Sequence, residues 1–398
     1  MSRSAAVTKP SRKKSVAKPQ AGKSPIPSIH IKGYKCFSDL SVARFGAVNL
    51  IVGANSVGKS ALLEAIRLYA SRCGLIDLAE ILINRDEMPA MQSGRRQEID
   101  KGWFLANLFS GDTFNPKKEV AAAISVADGA TLKLVPKIRS RAEKQEADRT
   151  FGSIIGRRFD LEIRFDAESQ IVLADDLLEI GDELRYARES IRHRMRIVFR
   201  HKNARGSKGL AVYLSPQGMS DDALSSLWDN VALTDDEVDV IAALRIIAPD
   251  IEKISFIGSD KYDGGLVPMI RQANSREPVA LRRSGDGMTR LLGIALALVN
   301  ARDGVLLIDE IENGIHYSVQ GKLWQLIVNA AKRLNVQVFA TTHSFDCIEA
   351  FSKTANEMET VEGRLIKLYR NGDNASIQAI EFDESELKAI TKSGIEVR

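Results

Sequence analysis

The sequence predicts an α/β fold with a mainly parallel core sheet, an antiparallel β subdomain and an inserted region of strands and helices. Three short apolar runs predict core strands, at 48–52, 305–308 and 336–340. Each run is rich in Val, Ile or Leu and leads into glycine or polar residues, which is typical of buried parallel strands that end at a polar sheet edge. With 398 residues, the chain can form roughly two or three domain-sized units.

Composition and charge are those of a folded protein, with 44% hydrophobic residues and a net charge of +4. Because no apolar run is long enough to cross a bilayer and the N-terminal residues lack the apolar core of a secretory signal, we expect a cytoplasmic protein without a membrane partner. Cys36, Cys73 and Cys347 lack metal-ligand or redox spacing, so we interpret them as structural. The net charge is too small to indicate nucleic-acid binding, which leaves that question to local clusters.

The first core run leads into a predicted phosphate-binding loop, formed by Gly53, Ala54, Asn55, Ser56, Val57, Gly58, Lys59 and Ser60. The two glycines let the backbone wrap a polyphosphate with its N–H groups. Apolar residues at helical spacing predict a helix over 60–70, whose positive end would face the phosphates. We predict that Lys59 reaches the β- and γ-phosphates and that the Ser60 hydroxyl binds Mg²⁺. A structural glycine turn is the alternative.

The other two core runs end in side chains that suit phosphate chemistry. Asp309 and Glu310 follow 305–308, where Asp309 can hold Mg²⁺ through water and Glu310 can orient or deprotonate the attacking water. His343 follows 336–340, where its imidazole would lie beside the γ-phosphate. The alternatives are a strand end that reaches solvent and a structural histidine.

A Ser-Gly-x-Gly turn precedes the apolar helix predicted at 291–299. Ser284, Gly285 and Gly287 would present a hydroxyl and free N–H groups at a helix N-terminus, which makes a second anion site. Earlier in the chain, Gln92 or Gln97 could sense Mg²⁺ and the γ-phosphate. The favoured interpretation is that both are polar loop residues without a role at the nucleotide.

We divide the chain into five segments. They are a basic tail (1–27), an N-terminal lobe with the phosphate loop (28–118), an insertion (119–275), a C-terminal lobe with Asp309 and Glu310 (276–353), and a final β-hairpin and helix (354–398). The tail has no acidic residue and is expected to be disordered. We interpret it as a solubilising extension, with a nucleic-acid tether as the alternative.

The insertion is predicted to contain short antiparallel strands, of which the last lies at 210–214. Two helices follow, at 223–230 and 235–248, and the spacing of Thr234 and Glu237 predicts a capping box for the second. The insertion has no sustained heptad repeat, so a long coiled-coil arm is not expected.

Arginine and lysine residues crowd one span of the insertion: Arg185, Arg188, Arg192, Arg194, Arg196, Arg200, Lys202, Arg205 and Lys208. Such a density could neutralise several phosphates of DNA. A solvated face balanced by the acidic run 175–183 is the alternative, and few aromatic residues are present for base stacking. The sequence leaves both interpretations open.

The order of these motifs resembles that of ABC-type ATPase heads. The matching motifs are, in chain order, the phosphate loop, the turn at 284–287, the strand end at 306–310 and His343. The chain is similar to the branch that includes SMC and RecF heads, the ATPase portion of OLD-family nucleases and AAA-labelled ATPases of bacterial defence systems. The resemblance implies an ATPase with ATP and Mg²⁺ as cofactors. Lys59 and Glu310 would be catalytic, and His343 would be the switch histidine.

The resemblance also implies a head-to-head dimer with two sandwiched nucleotides. Ser284, Gly285 and Gly287 would contact the γ-phosphate of ATP in another subunit, and residues 312–316 would cross the interface. Such a homo-oligomer would close on ATP, open on hydrolysis and signal to DNA or to a separate nuclease or toxin effector in DNA repair or antiviral defence. A transporter nucleotide subunit and a P-loop kinase or GTPase are the alternatives.

Two departures from the family pattern stand out. Asp286 and Gly287 occupy the place of the commoner Gly-Gln or Gly-Glu pair, and Ile311 replaces the proline frequently found after the catalytic glutamate. The coiled-coil arms of SMC proteins and the TOPRIM nuclease domain of OLD proteins are not expected in this chain.

Overall fold

The computed structural model describes residues 25–89, 102–111, 122–127, 129–139, 158–189, 211–258, 266–273, 275, 277–357, 362–372, 376–383 and 386. The strands are β1 Ile29–Tyr34, β2 Phe37–Val42, β3 Val48–Val52, β4 Ala122–Ser125, β5 Thr131–Arg139, β6 Arg158–Phe165, β7 Glu168–Val172, β8 Ala211–Leu214, β9 Ile251–Gly258, β10 Leu266–Gln272, β11 Val279–Ala280, β12 Val305–Ile308, β13 Gln337–Thr341, β14 Gly363–Arg370 and β15 Ile377–Phe382. The helices are α1 Lys59–Ala70, α2 Leu75–Asn84, α3 Ala174–Glu189, α4 Asp221–Asp229, α5 Asp236–Leu244, α6 Asp286–Asn300, α7 Tyr317–Leu334 and α8 Phe345–Glu357.

The core sheet has the strand order β15-β14-β3-β13-β12-β8. Strands β14, β3, β13, β12 and β8 run parallel to one another, and β15 pairs antiparallel with β14 at one edge. The predicted α/β class with a mainly parallel core sheet is therefore confirmed. Because the carboxyl ends of parallel strands lie at one edge, the residues that follow β3, β12 and β13 come together there.

Alternating side chains of the core strands pack on two opposite layers. Ile51 and Phe339 face a cluster that contains α1, α2 and the antiparallel sheet. Leu50 and Val338 face a second cluster, built largely from α6, α7 and α8. This period-2 division is what a sheet covered on both faces requires, and it leaves the strand ends free for a site.

A second sheet, fully antiparallel, has the order β2-β1-β4-β5-β6-β7. The strands predicted near 120–126, 131–135, 159–165 and 171–173 are present in it as β4 to β7. Residues 30–32 of β1 pair with residues 123–125 of β4, so these strands continue a sheet that the N-terminal lobe begins. A third, three-stranded sheet has the order β11-β10-β9.

The assignment of 210–214 to the antiparallel insertion is wrong. Residues Ala211–Leu214 form β8, which pairs in parallel with Val305–Ile308 of β12 and makes the far edge of the core sheet. A strand of four residues carries too little alternation to reveal its partner, and the partner lies some ninety residues later in the chain. The position of β8 affects the predicted site, because the last residue of β8, Leu214, accepts a hydrogen bond from the Asp309 amide at 2.9 Å.

The capping box predicted from Thr234 and Glu237 is also not formed as expected. The N-cap of α5 is Asp235, and the Thr234 hydroxyl donates to the Val231 carbonyl oxygen at 2.6 Å. The Glu237 carboxylate accepts from the amide of Leu233 at 3.0 Å. The preceding turn therefore competes for both side chains.

The C-terminal β-hairpin is confirmed as β14 and β15, and β14 also extends the core sheet beside β3. Several other predictions lie outside the described residues: the tail over 1–24, Gln92, Gln97, and the basic residues from Arg192 to Lys208. Of the helix predicted after 383, only residue 386 is described. None of the described helices is long and apolar enough to cross a membrane.

Candidate active site

The predicted phosphate loop connects β3 to α1 at the carboxyl edge of the core sheet. Gly53 and Gly58 have φ angles of 142° and 90°, in the region that favours glycine. A Cβ at Gly53 would lie 2.3 Å from the Leu368 carbonyl oxygen, and one at Gly58 would lie 2.6 Å from Cys36 Sγ. Both positions therefore exclude other residues by backbone conformation and by space.

The side chain of Lys59 lies inside this loop. Its Nζ donates to the carbonyl oxygens of Gly53 at 2.7 Å and Ala54 at 2.9 Å. Burial lowers the pKa of Lys59, while the negative charges of Asp309 and Glu310 oppose that shift. An ammonium has three hydrogens, so one donor remains for an anion held by the loop.

The other loop residues divide into a buried anchor and an exposed rim. Val57 is buried in the core, whereas Ala54, Asn55 and Ser56 are exposed. Ser60 occupies the first turn of α1 and is partly buried. The rim is the part of the loop that is free to meet a polyphosphate.

Asp309 directly follows β12, and its carboxylate is almost fully buried, with the residue 4% exposed. Its Oδ1 accepts a hydrogen bond from the Thr341 hydroxyl at 2.5 Å, and its Oδ2 accepts one from the Tyr213 hydroxyl at 3.4 Å. Burial raises the pKa of Tyr213, and the charge of Asp309 adds to the rise. Hydroxyls from the two strands beside β12 thus orient this carboxylate.

Glu310 has a left-handed backbone, with φ at 48°. Its amide donates to the Thr341 hydroxyl oxygen at 2.8 Å. Its carboxylate Oε2 accepts from Asn313 Nδ2 at 2.7 Å, and its Oε1 lies 3.3 Å from His343 Nε2. The structure therefore brings together Glu310 and His343, which the sequence predicted separately, and each is about one third exposed, at 34% and 38%.

Arg290 is a residue of this site that the sequence analysis missed. It lies on α6, is 5% exposed, and donates to the carbonyl oxygens of Ser215 at 2.5 Å, Asp309 at 2.8 Å and Glu310 at 3.0 Å. Burial lowers the pKa of Arg290 to about 10, against the opposing charges of nearby acidic groups. A single cation within the apolar stretch that α6 forms was the available signal in the sequence.

Two more missed residues belong to the loop that follows Glu310. Asn313 binds the Glu310 carboxylate, and Glu312 Oε1 accepts a hydrogen bond from the His343 amide at 2.7 Å. From the sequence, this loop is expected at a dimer interface, and no role within the chain is predicted for its side chains.

The Ser-Gly turn lies at the start of α6. Ser284 ends a short 3₁₀ helix, Leu281–Ser284, and Gly285 has φ at 94° directly before α6. Ser284 and Gly285 are exposed. A Cβ at Gly287 would lie 2.6 Å from the Gly314 carbonyl oxygen, so this turn packs closely on the loop that carries Glu312 and Asn313.

The residues expected to hold Mg²⁺ fit that ion. A hydroxyl from Ser60 and a carboxylate from Asp309 are hard oxygen ligands, and Mg²⁺ at nucleotide sites commonly takes one or two protein ligands beside phosphate oxygens and water. Asp309 is buried, and among the described residues its carboxylate oxygens accept hydrogen bonds only from the hydroxyls of Thr341 and Tyr213. Among the described residues, no group of three or more His, Cys, Asp or Glu forms a separate metal site.

Residues 48–346 match the family described as "AAA domain, putative AbiEii toxin, Type IV TA system". The chain belongs to this family. Membership confirms the predicted enzyme class, an ATPase that binds and hydrolyses ATP, and it agrees with the resemblance to ATPase heads stated from the motifs.

Two curated proteins are similar to this member of the AAA family. One, named ATP/GTP phosphatase, from Helicobacter pylori, is 23% identical over 377 residues and covers 90% of this chain and 96% of its own length. An uncharacterized protein from Methanocaldococcus jannaschii is 37% identical over 114 residues, which are 29% of this chain and 98% of that protein.

Solved structures of SMC heads are also similar. The SMC head bound to the C-winged helix domain of ScpA has a TM-score of 0.48 and 15% identity, and covers 91% of this chain and 99% of its own. The SMC head domain from Thermotoga maritima has a TM-score of 0.40 and 13% identity, and covers 90% of this chain and 99% of its own.

Proposed function

We propose that this AAA family ATPase is a conformational switch that dimerises around two ATP molecules and signals to a separate effector. The observation that carries the proposal is that one chain has two separate sets of residues suited to binding phosphate. Lys59, Asp309 and Glu310 carry interacting charges at one sheet edge, while Ser284 and Gly285 stand exposed at the start of α6. A second copy would complete the site if its exposed turn met the nucleotide.

In this proposal the phosphate loop binds ATP through its backbone N–H groups, and Lys59 Nζ donates its remaining hydrogen to the β- and γ-phosphates. Ser60 and Asp309 would hold Mg²⁺, which when bound neutralises charge on the β- and γ-phosphates. The hydroxyl bonds from Thr341 and Tyr213 orient the Asp309 carboxylate in advance, so little reorganisation is needed on binding.

Glu310 is the proposed general base. Its carboxylate takes a proton from the attacking water, the water oxygen bonds to the γ-phosphorus, and the bond from that phosphorus to the β,γ-bridging oxygen breaks to release ADP. His343 Nε2 lies close enough to Glu310 Oε1, at 3.3 Å, for both groups to face the same water and γ-phosphate.

The dimer is supported by the surface around the Ser-Gly turn. Ser284, Gly285, Gly314 and His316 are exposed, and Tyr317 is 64% exposed beside them at the start of α7. Large exposed aromatic residues of this kind are enriched at protein interfaces. A homodimer that joins each turn to the partner's phosphate loop would cover this surface.

A partner protein is supported by the family description, which reads putative AbiEii toxin of a type IV toxin–antitoxin system and so places the matched domain in a system of more than one component. The Helicobacter pylori relative, which is named for ATP and GTP phosphatase activity, supports nucleotide hydrolysis as the driving reaction. We propose antiviral defence or DNA repair as the setting, with a nuclease or toxin as the separate partner.

The deciding experiment uses Glu310→Gln. This variant should bind ATP and Mg²⁺ with wild-type affinity, lose on the order of 100-fold or more of its hydrolysis, and accumulate as a dimer. Light scattering with and without ATP measures the association. An ATP-bound Glu310→Gln protein that stays monomeric contradicts the sandwich dimer, and wild-type hydrolysis by this variant contradicts the role of Glu310.

A further inference from the structure

The Glu310 carboxylate has two oxygens in different surroundings. Oε2 accepts a hydrogen bond from Asn313 Nδ2 at 2.7 Å, whereas Oε1 faces His343 Nε2 at 3.3 Å. An ionised carboxylate only accepts hydrogen bonds, so the Asn313 side chain has to present its Nδ2 hydrogens to Oε2, and its Oδ1 would be repelled there.

Asn313 is itself held in place on two sides. Its backbone amide donates to the Glu310 carbonyl oxygen at 3.1 Å, which closes a turn between the two residues. Its Nδ2 also lies 3.4 Å from the Pro216 carbonyl oxygen, in the turn that follows β8. The amide is therefore directed at Oε2 by contacts that do not involve Glu310's own side chain.

The backbone of Glu310 is fixed as well. Arg290 binds its carbonyl oxygen, and the Thr341 hydroxyl binds its amide. With the main chain held in a left-handed conformation, rotation of the side chain is the main freedom left to the carboxylate. A donor on Oε2 removes that freedom and leaves Oε1 on the side of His343.

We propose that Asn313 is a positioning residue for hydrolysis, which holds Oε2 of Glu310 so that Oε1 is the oxygen that takes the proton from water. This proposal rests on the proposed function, because it assumes Glu310 as the general base. Asn313 would act through Glu310, and it would make no contact with the nucleotide.

The main test compares Asn313→Asp with the wild-type chain. The substitution keeps the shape of the side chain but replaces the donor by a negatively charged acceptor, which repels Oε2. We expect kcat for ATP to fall about 10- to 100-fold, as misplacement of a catalytic group does, with the dissociation constant for ATP and Mg²⁺ changed less than about 2-fold. Asn313→Gln keeps the amide and should recover part of the rate.

Asn335→Asp is the matched control. Asn335 Nδ2 donates to Asp303 Oδ1 at 3.0 Å, so the same chemical change is made beside another carboxylate. Asn335 has φ at 53°, a conformation that Asp also tolerates. This variant should keep the wild-type kcat.

A double-mutant cycle separates positioning from a general structural role. In the Glu310→Gln background, Asn313→Asp should reduce the residual hydrolysis by less than about 2-fold, because the oxygen that it positions is no longer a base. The same 10- to 100-fold loss in that background overturns the proposal, as does a wild-type kcat in Asn313→Asp alone. If Asn313→Asp fails to fold, Asn313→Ala carries the same comparison without added charge.

The results also distinguish this inference from the proposed function. A Glu310→Gln variant that hydrolyses ATP normally contradicts the proposed function itself. An inactive Glu310→Gln beside a fully active Asn313→Asp contradicts only the positioning role of Asn313.

Discussion

The guanidinium of Arg290 donates a hydrogen bond to the carbonyl oxygen of Glu310 at 3.0 Å. This contact joins α6, which begins at the exposed Ser-Gly turn, to the backbone of the proposed general base. Arg290 also binds Ser215, so the turn after the edge strand β8 is attached to the same cation. A movement of α6 would therefore be transmitted directly to the end of β12.

Arg290→Lys should weaken both the fold and the reaction. A lysine ammonium is compact and cannot reach three carbonyl oxygens that a planar guanidinium spans, so buried acceptors lose their donor. We expect the free energy of unfolding to fall by about 1–3 kcal/mol, measured by urea titration, and kcat to fall with it.

Arg302→Lys is the control for Arg290→Lys, because Arg302 forms an ion pair with Asp236 and is 46% exposed. An exposed pair contributes about 0–1 kcal/mol, so this change should leave both stability and kcat near their wild-type values. Equal effects of the two substitutions would contradict the role assigned to Arg290.

Gly58→Ala should disrupt the phosphate loop. The added Cβ would lie 2.6 Å from Cys36 Sγ and 2.8 Å from the Phe37 ring, at a φ of 90° that alanine avoids. We expect a lower melting temperature and weaker ATP binding. In Gly321→Ala, within α7, the Cβ meets nothing within 4 Å, so this control should be neutral or stabilise the fold by up to about 1 kcal/mol. A Gly58→Ala protein with wild-type stability and affinity argues against the described loop geometry.

Lys59→Ala tests nucleotide binding directly. Removing Nζ eliminates the cation inside the loop and leaves two carbonyl oxygens that can face water or the remaining loop amides. ATP binding measured by calorimetry should be lost, while the circular dichroism spectrum is retained. Lys353→Ala, an exposed position on α8, is the control and should bind ATP normally. Undiminished affinity in Lys59→Ala would rule out the phosphate-loop assignment.

The basic cluster of the insertion remains a prediction from the sequence. If Arg192, Arg194, Arg196 and Arg200 contact DNA phosphates, changing all four to Glu should abolish DNA binding, and wild-type affinity should fall steeply with salt because bound counterions are released. Filter binding at two salt concentrations measures both effects. Equal binding by the quadruple variant would favour the solvated face.

One member of the basic cluster already has another partner. Arg185 lies on α3 and donates to the carbonyl oxygens of Met88 and Pro89, and it also forms an ion pair with Asp182. Its guanidinium therefore fastens α3 to the segment after α2. For this reason Arg185 is left out of the quadruple variant.

Sequence alone determined the features that depend on local pattern. The apolar runs at 48–52, 305–308 and 336–340 identified the central strands. The motifs that follow these runs made Lys59, Asp309, Glu310 and His343 the candidate site residues. The strand predictions succeeded because a buried parallel strand has a signature within a few residues, and the four site residues stay predictions that rest on equally local motifs.

Tertiary structure decided which distant groups meet. The pairing of β8 with β12, the three carbonyl contacts of Arg290 and the bond from Asn313 to Glu310 depend on side-chain directions and on strands far apart in the chain. The local sequence of α6 or of β8 does not predict which element it packs against. Such contacts follow only when the whole sheet and its helices have packed, because burial makes each donor find the acceptor that the fold brings within reach.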